Sequence, residues 1–509
     1  MLKKITVALL CMAMVLSPAG FALAYEQNTA GSKWFSVAAE AMSSIAGLLN
    51  AESFPYENPR GIVITQPERV YRTTSASHTS ILGACDYEFP LYMNGREVPT
   101  TARGFFVLYE ALTEGENTFR FTNNGKEETI VVTKVAREEP AEWEAVYYEE
   151  PTYGVITLNS VSHRAEPDED PNLLTPLAYG TTFGLLGEIG EYYITADGTY
   201  VYKSAINAFE GELPDATVAD VEIVTEDGFT YIMFDMNVNA LYSLERTGEN
   251  AALTLRASDP GGNPDPMDAA VTSVVKSTDG GSVTYDIAFA EAPIGHFVEF
   301  RDGRMIVGFR HTVKTLADAK IVLDAGHGGA DPGALGPPAG NGLVEKHFNL
   351  YVARAAKDYL ESRGASVVMI RSRDTAVPLA SRTAAILGHR PDISVSIHAN
   401  SMPVDSDYRR ARGPDMFFTF DTSKEAAESV YGYITGSLGF EYREPKRANL
   451  ALTRLTVCPA ILFEMSFMCS PNDYEWLLVK DNLNSVGEAL GKGIEEYLTG
   501  AAGGGADGI

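Results

Sequence analysis

The 509-residue chain carries a formal charge of −28, a balance that argues against nucleic acid and anionic membrane surfaces as partners, because both would repel it. Its length exceeds one ordinary domain and implies three or four separate cores. The acidity is uneven: residues 321–499 hold 18 Lys+Arg against 22 Asp+Glu, so most of the negative excess lies upstream.

The chain opens MLKKITVALLCMAMVLSPAGFALA, with Lys3 and Lys4, an apolar run from Ile5 to Val15, and Ala22-Leu23-Ala24 as a small-residue cleavage site. Residues 1–24 therefore read as a signal peptide, and Tyr25 as the first mature residue. A membrane anchor is the rival reading, but the apolar run is short for a bilayer and is broken at Ser17-Pro18. No second run of spanning length follows. Removal of the signal leaves Cys85, Cys458 and Cys469, too few for a disulfide scaffold and without the spacing of a sulfur metal site. Buried structural thiols are the expectation.

Residues 25–59 read as a leading helix, from Ser32 to Leu49, and a linker. Residues 60–136 have the short β-rich runs of a small sandwich, punctuated at Asn94-Gly95, Gly115 and Asn124-Gly125. LYMNGREV followed by GFFVLYEALTEGENTFRF resembles Ig-like surface modules. The acidic, proline-flanked residues 137–151 read as a linker. In residues 152–206, AYGTTFGLLGEIGEYYITADGTYVYKSAI resembles a bacterial SH3-like barrel, ending in Gly198-Thr199-Tyr200-Val201. Residues 207–312 alternate as a further β-sandwich. From 319 to 499 strand and helix signals alternate, which predicts an open-sheet α/β domain. Residues 500–509 read as a flexible tail. The expected architecture is multidomain: all-β modules followed by a C-terminal α/β open sheet.

Four residues of that last domain, His327, Glu345, His398 and Glu464, lie where predicted strands give way to loops or helices, in IVLDAGHGG, GLVEKHFNL, ISVSIHAN and AILFEMSF. The carboxyl ends of strands in an open α/β sheet converge on one crevice, so residues distant in sequence can meet there. Two imidazoles and a carboxylate form the N/O set that suits Zn²⁺ and leaves a fourth position open for water. The remaining carboxylate can move protons. His347, two residues past Glu345, points to another side of its helix and is left out of the ligand set. Asp324 and Asp331 read as turn-stabilising.

The motifs IVLDAGHGGADPGALG, VEKHFNL, MIRSRDTAVPLASR, VSIHANS and ILFEMSFM, in that order across residues 319–499, resemble the zinc-dependent N-acetylmuramoyl-L-alanine amidases. The resemblance implies that His327, Glu345 and His398 hold zinc and that Glu464 is the catalytic carboxylate. Asn400 matches a polar position close to the metal. The implied reaction is hydrolysis of the amide between N-acetylmuramic acid and L-alanine by a zinc-activated water, with peptidoglycan as substrate. Arg371, Arg373 and Arg382 could hold peptide carboxylates or make ordinary ion pairs; Arg382 and Asn400 are carried as candidate substrate contacts. The family usually has a Gly two residues after the catalytic Glu, where this chain has Ser466, and tolerance is expected. The Asn400–Gly413 segment is too short for the occluding helix some relatives carry. Residues 207–312 resemble sheet domains that precede such catalytic domains and target them to the wall. A secreted, extracellular or wall-associated home follows, with the periplasm as alternative. The rival functions are a zinc peptidase cutting another peptidoglycan amide and a wall-binding or regulatory protein with a vestigial site.

Overall fold

The computed structural model describes residues 54–68, 72–137, 143–167, 173–262, 264, 269–338 and 342–500. The signal peptide, the leading helix and nearly all of the C-terminal tail fall outside the described residues.

The first β unit has two sheets. Ile62–Gln66, His78–Cys85 and Phe105–Ala111 form one; Thr73–Thr74, Lys126–Lys134, Gly115–Asn123, Leu91–Met93 and Arg96–Val98 form the other, each given in spatial order. Phe106, Phe119, Phe121, Ile130 and Val132 fill the space between them. The Asn94-Gly95 and Asn124-Gly125 pairs, all at positive φ, make the tight hairpin turns read from sequence.

Next comes a seven-stranded sheet in the order Leu173–Leu177, Val161–Arg164, Tyr200–Tyr202, Tyr192–Thr195, Thr182–Ile189, Ala145–Ile156 and Ile206–Glu210. Its longest strand corrects the linker expected at 137–151: Ala145, Val146 and Tyr147 pair with Ile189, Glu188 and Gly187. Acidic, exposed side chains suggested a solvated connector, but pairing uses the backbone, which charge patterning does not report.

Residues 218–310 build two four-stranded antiparallel sheets, with Phe234 against Tyr285 and Phe289 against Phe309 between them. This sandwich and the seven-stranded sheet share one buried cluster, running from Ile156 and Phe183 to Val307 and Phe309. The Tyr242 hydroxyl joins them further, accepting from the Ala178 N–H and donating to the Pro176 carbonyl.

The C-terminal domain is a six-stranded sheet in the order Ser366–Met369, Lys320–Ala325, Ile393–Asn400, Ala460–Phe467, Asp415–Phe418 and Lys446–Arg447. The first four strands are parallel and Asp415–Phe418 runs antiparallel to its neighbour Ala460–Phe467. The helices Glu345–Ser362, Lys424–Leu438 and Lys480–Thr499 supply Phe348, Val352, Val430, Ile434, Leu490 and Ile494 to the core on one side. A second cluster joins Val322, Ile386 and Ala460 of this domain to Phe229, Phe297 and Ile306 of the preceding sandwich, which thus serves as an outer layer of the α/β domain. Arg310 pairs with buried Asp392 across the junction, and the His296 N–H donates to the Thr456 carbonyl.

The first β unit docks elsewhere, on the loop that follows Asn400. Ser80 donates its backbone N–H to Val404 O and its hydroxyl to Ser406 O, and accepts from the Tyr408 N–H. Leu82 joins Tyr408, Ala411 and Phe467 in one buried cluster, and Phe105 enters the core of the α/β domain beside Tyr474. Among the described residues, the three cysteines are buried and unpaired, and no helix is long and apolar enough to cross a membrane.

Candidate metal and catalytic site

Each candidate ligand leaves a different element. His327 follows the Lys320–Ala325 strand at φ 59°, a left-handed conformation set between glycines. Glu345 is the first residue of the Glu345–Ser362 helix, and His398 lies near the end of the Ile393–Asn400 strand. Their ligand atoms all lie within 4.8 Å of one another. The Glu345 Oε1 stands 3.2 Å from His327 Nε2 and 2.8 Å from His398 Nδ1. Close approach here requires glycine: a Cβ on Gly326 would fall 2.1 Å from His398 Cε1, and one on Gly333 would fall 2.4 Å from Glu345 Oε2.

The shell behind the ligands fixes their orientation. Asp331 Oδ2 lies 2.8 Å from His327 Nδ1, leaving Nε2 to face inward. Asp331, read from sequence as a turn residue, does accept from the Gly333 N–H, but it also orients an imidazole as carboxylates behind metal-bound histidines do. Glu345 accepts from the backbone N–H groups of Ala334 and Ala399 and from Asn349 Nδ2. Sequence reasoning missed Asn349, whose position one helical turn after Glu345 was the available signal.

Arg382 requires a correction. It is buried, and its guanidinium donates to the carbonyls of Val377, Ala325 and His327 and to Asp324. Arg371, also buried, donates to the carbonyls of Ala325, Gly326 and Lys346. Both fasten the strand end that presents His327, and the donors of Arg382 are engaged there. His347 accepts the Val344 N–H at Nδ1 and stays apart from the cluster.

Glu345 and the two imidazoles shift one another's protonation strongly. Burial opposes charge on Glu345, yet the hydrogen bonds and charges of His327 and His398 outweigh it and hold the carboxyl well below the usual range. Burial likewise lowers both imidazoles, and Glu345, with Asp331 at His327, more than reverses this: His327 is pushed up to about 9 and His398 is raised. Two imidazole nitrogens and a carboxylate oxygen converging from three rigid elements fit a tetrahedral Zn²⁺ with one position open.

Glu464 is the register partner of His398 on the adjacent parallel strand. Its Oε2 is buried and has no hydrogen-bond partner. Burial, followed by the nearby carboxylates of Glu345 and Asp415, pushes it up to about 8 against the opposing pull of His398 and His327. A carboxyl so placed exchanges protons near neutrality. Asn400 sits beyond a register irregularity in the same strand and donates to Asp415 at 3.4 Å. The Ser466 hydroxyl donates to Asp473 Oδ2, which also accepts from the Gly413 and Phe467 N–H groups, so serine is satisfied where glycine was expected.

A family model described as N-acetylmuramoyl-L-alanine amidase matches residues 321–496. The chain is 31% identical over 181 residues to the uncharacterized protein YqiI of Bacillus subtilis, covering 35% of this chain and 84% of YqiI. It is 30% identical over 186 residues to the probable cell wall amidase LytH of Staphylococcus saprophyticus, covering 36% of this chain and 60% of that protein. Among solved structures, the catalytic domain of the CwlV amidase of Paenibacillus polymyxa var. colistinus is 31% identical, with a TM-score of 0.33, covering 35% of this chain and 98% of that one. The chain belongs to the N-acetylmuramoyl-L-alanine amidase family.

Proposed function

We propose that the chain is an exported, zinc-dependent N-acetylmuramoyl-L-alanine amidase that hydrolyses the amide joining the lactyl group of N-acetylmuramic acid to the L-alanine of the stem peptide. The observation that carries this reading is the unpartnered Oε2 of Glu464 beside His398, in a chain whose His327, Glu345 and His398 converge on one point. His327 Nε2, His398 Nδ1 and Glu345 would hold the metal. Bound there, Zn²⁺ supplies Lewis-acid polarisation of a carbonyl and lowers the pKa of water. Glu464 takes the proton of the attacking water and returns it to the leaving amine, so that a C–O bond forms at the lactyl carbonyl as its C–N bond breaks. Asp331 and Asn349 keep the ligands oriented, and Arg371 and Arg382 hold the His327 strand end in place.

Asn400, through its contact with Asp415, belongs to the substrate wall beside Glu464. Residues 1–24 act as the export signal. The Ig-like, SH3-like and sandwich modules place the enzyme on peptidoglycan, outside the cell or against the wall. The test is digestion of purified peptidoglycan by residues 25–509, with and without a chelator. Free stem peptides beginning with L-alanine, lost on chelation, support the reading; intact muramoyl-peptide linkages contradict it.

A further inference from the structure

Asp415 is the residue directly opposite Glu464 across the antiparallel pairing of Asp415–Phe418 with Ala460–Phe467. Opposed residues on antiparallel strands send their side chains to the same side, with β carbons about 5 Å apart. A second carboxylate therefore stands beside the catalytic one. It is buried, and two cations neutralise it: Arg443 Nη2 lies 3.0 Å from Oδ1 and Lys446 Nζ lies 3.0 Å from Oδ2. Asp415 thus draws two cations to the edge of the site. Both cations remain open to solvent, the Arg443 and Lys446 side chains being 35% and 51% exposed.

The two cations differ in freedom. Arg443 also donates to the carbonyls of Arg412 and Pro414, which fixes its guanidinium. Lys446 stands on the edge strand Lys446–Arg447, pairs in register with Phe417, and carries its ammonium back over the Phe417 ring toward Asp415. The ammonium thus lies about one strand spacing, roughly 5 Å, beyond the strand that bears Glu464. A peptide residue spans about 3.5 Å when extended, so a group one residue past a bond held at Glu464 falls within reach of this charge.

We propose that Arg443 and Lys446 form a carboxylate-recognition arm of the active site, selecting stem peptides that carry a free carboxyl on the residue following L-alanine over those in which that carboxyl is amidated. The assignment rests on the amidase reading above. A carboxylate there meets two solvent-facing cations, whereas a carboxamide is neutral and gains no charge pairing from them. Lys446 acts as a mobile point charge and Arg443 as the fixed one.

The test compares the full chain on two muramoyl peptides that differ only in a free acid or a carboxamide at the second residue. The wild type is expected to turn over the free acid with a kcat/KM about fivefold higher, the scale of one solvent-screened charge pair, carried by KM and narrowed by added salt. Lys446→Gln removes the preference through KM and Lys446→Arg restores it. Equal kcat/KM for the two substrates in the wild type, or a preference that survives in Lys446→Gln, overturns the assignment. Turnover of neither substrate by the wild type overturns the amidase reading itself, and the assignment with it.

Discussion

His398 and Glu464 are register partners on neighbouring parallel strands, so a candidate metal ligand and the candidate proton carrier are held side by side by the sheet itself. Neither depends on a loop for its position. Burial disfavours the ionised form of Glu464, His398 beside it favours that form, and burial prevails.

That competition sets the outcome of Glu464→Gln. Loss of the proton carrier is expected to lower kcat by roughly 10²–10⁴-fold while leaving metal affinity in place. The variant also replaces a carboxyl whose buried Oε2 is unpartnered with a neutral amide, so its urea midpoint in the metal-free state should equal or exceed the wild-type value. Turnover rates and unfolding curves check the two parts separately.

Asp331→Ala removes the partner of His327 Nδ1 and leaves all three candidate ligands intact. Weaker zinc binding by about 10- to 100-fold is expected, read by competition with a chromogenic chelator. The Asp331 side chain is largely exposed, so global stability should change little.

Acid stability depends in part on His296, buried where the sandwich meets the catalytic domain. Burial, and then the Arg246 guanidinium, hold its pKa well below the usual value, so it is neutral in the folded protein. The unfolded chain binds a proton there below about pH 6.5 and the folded chain does not. Its contribution is therefore full above that pH and is lost as the pH falls toward the depressed folded value. His296→Phe should flatten the difference between urea midpoints at neutral and mildly acid pH.

Phe105 belongs to the first β unit by sequence and to the catalytic core by packing, 4.9 Å from the Tyr56 ring and 5.4 Å from Tyr474. Phe105→Ala should cost roughly 3–5 kcal/mol. The catalytic domain should share that loss, seen as faster proteolysis within residues 319–499. By the same contacts, residues 319–499 expressed alone should unfold at lower denaturant than they do within the full chain.

The site was legible because His327 and His398 sit at the ends of short apolar strands, Glu464 lies within another and Glu345 opens a helix, positions that the α/β alternation itself reveals. His327, Glu345, His398 and Glu464 needed no local spacing rule. Arg382 was not legible in the same way: its guanidinium is committed mainly to backbone carbonyls, which leave no mark in the pattern of side chains. Residues 145–151 were hidden by their acidic faces, although their backbone pairs across the sheet. The docking of Ser80 on Ser406 and Tyr408 was also out of reach, since the partners lie more than 300 positions apart. That docking covers the loop where the sequence expects no occluding helix, and in the structure the loop holds a single 3-10 turn at Tyr408–Arg410.

The most direct measurement is to follow the hydrolysed oxygen. Peptidoglycan is digested by the zinc-loaded protein in heavy-oxygen water, and the products are read by mass spectrometry. Attack at the lactyl carbonyl predicts label in the muramic acid carboxylate and an unlabelled peptide beginning with a free L-alanine amine. Label at a carboxyl within the peptide, with the muramoyl–alanine bond intact, would contradict the account.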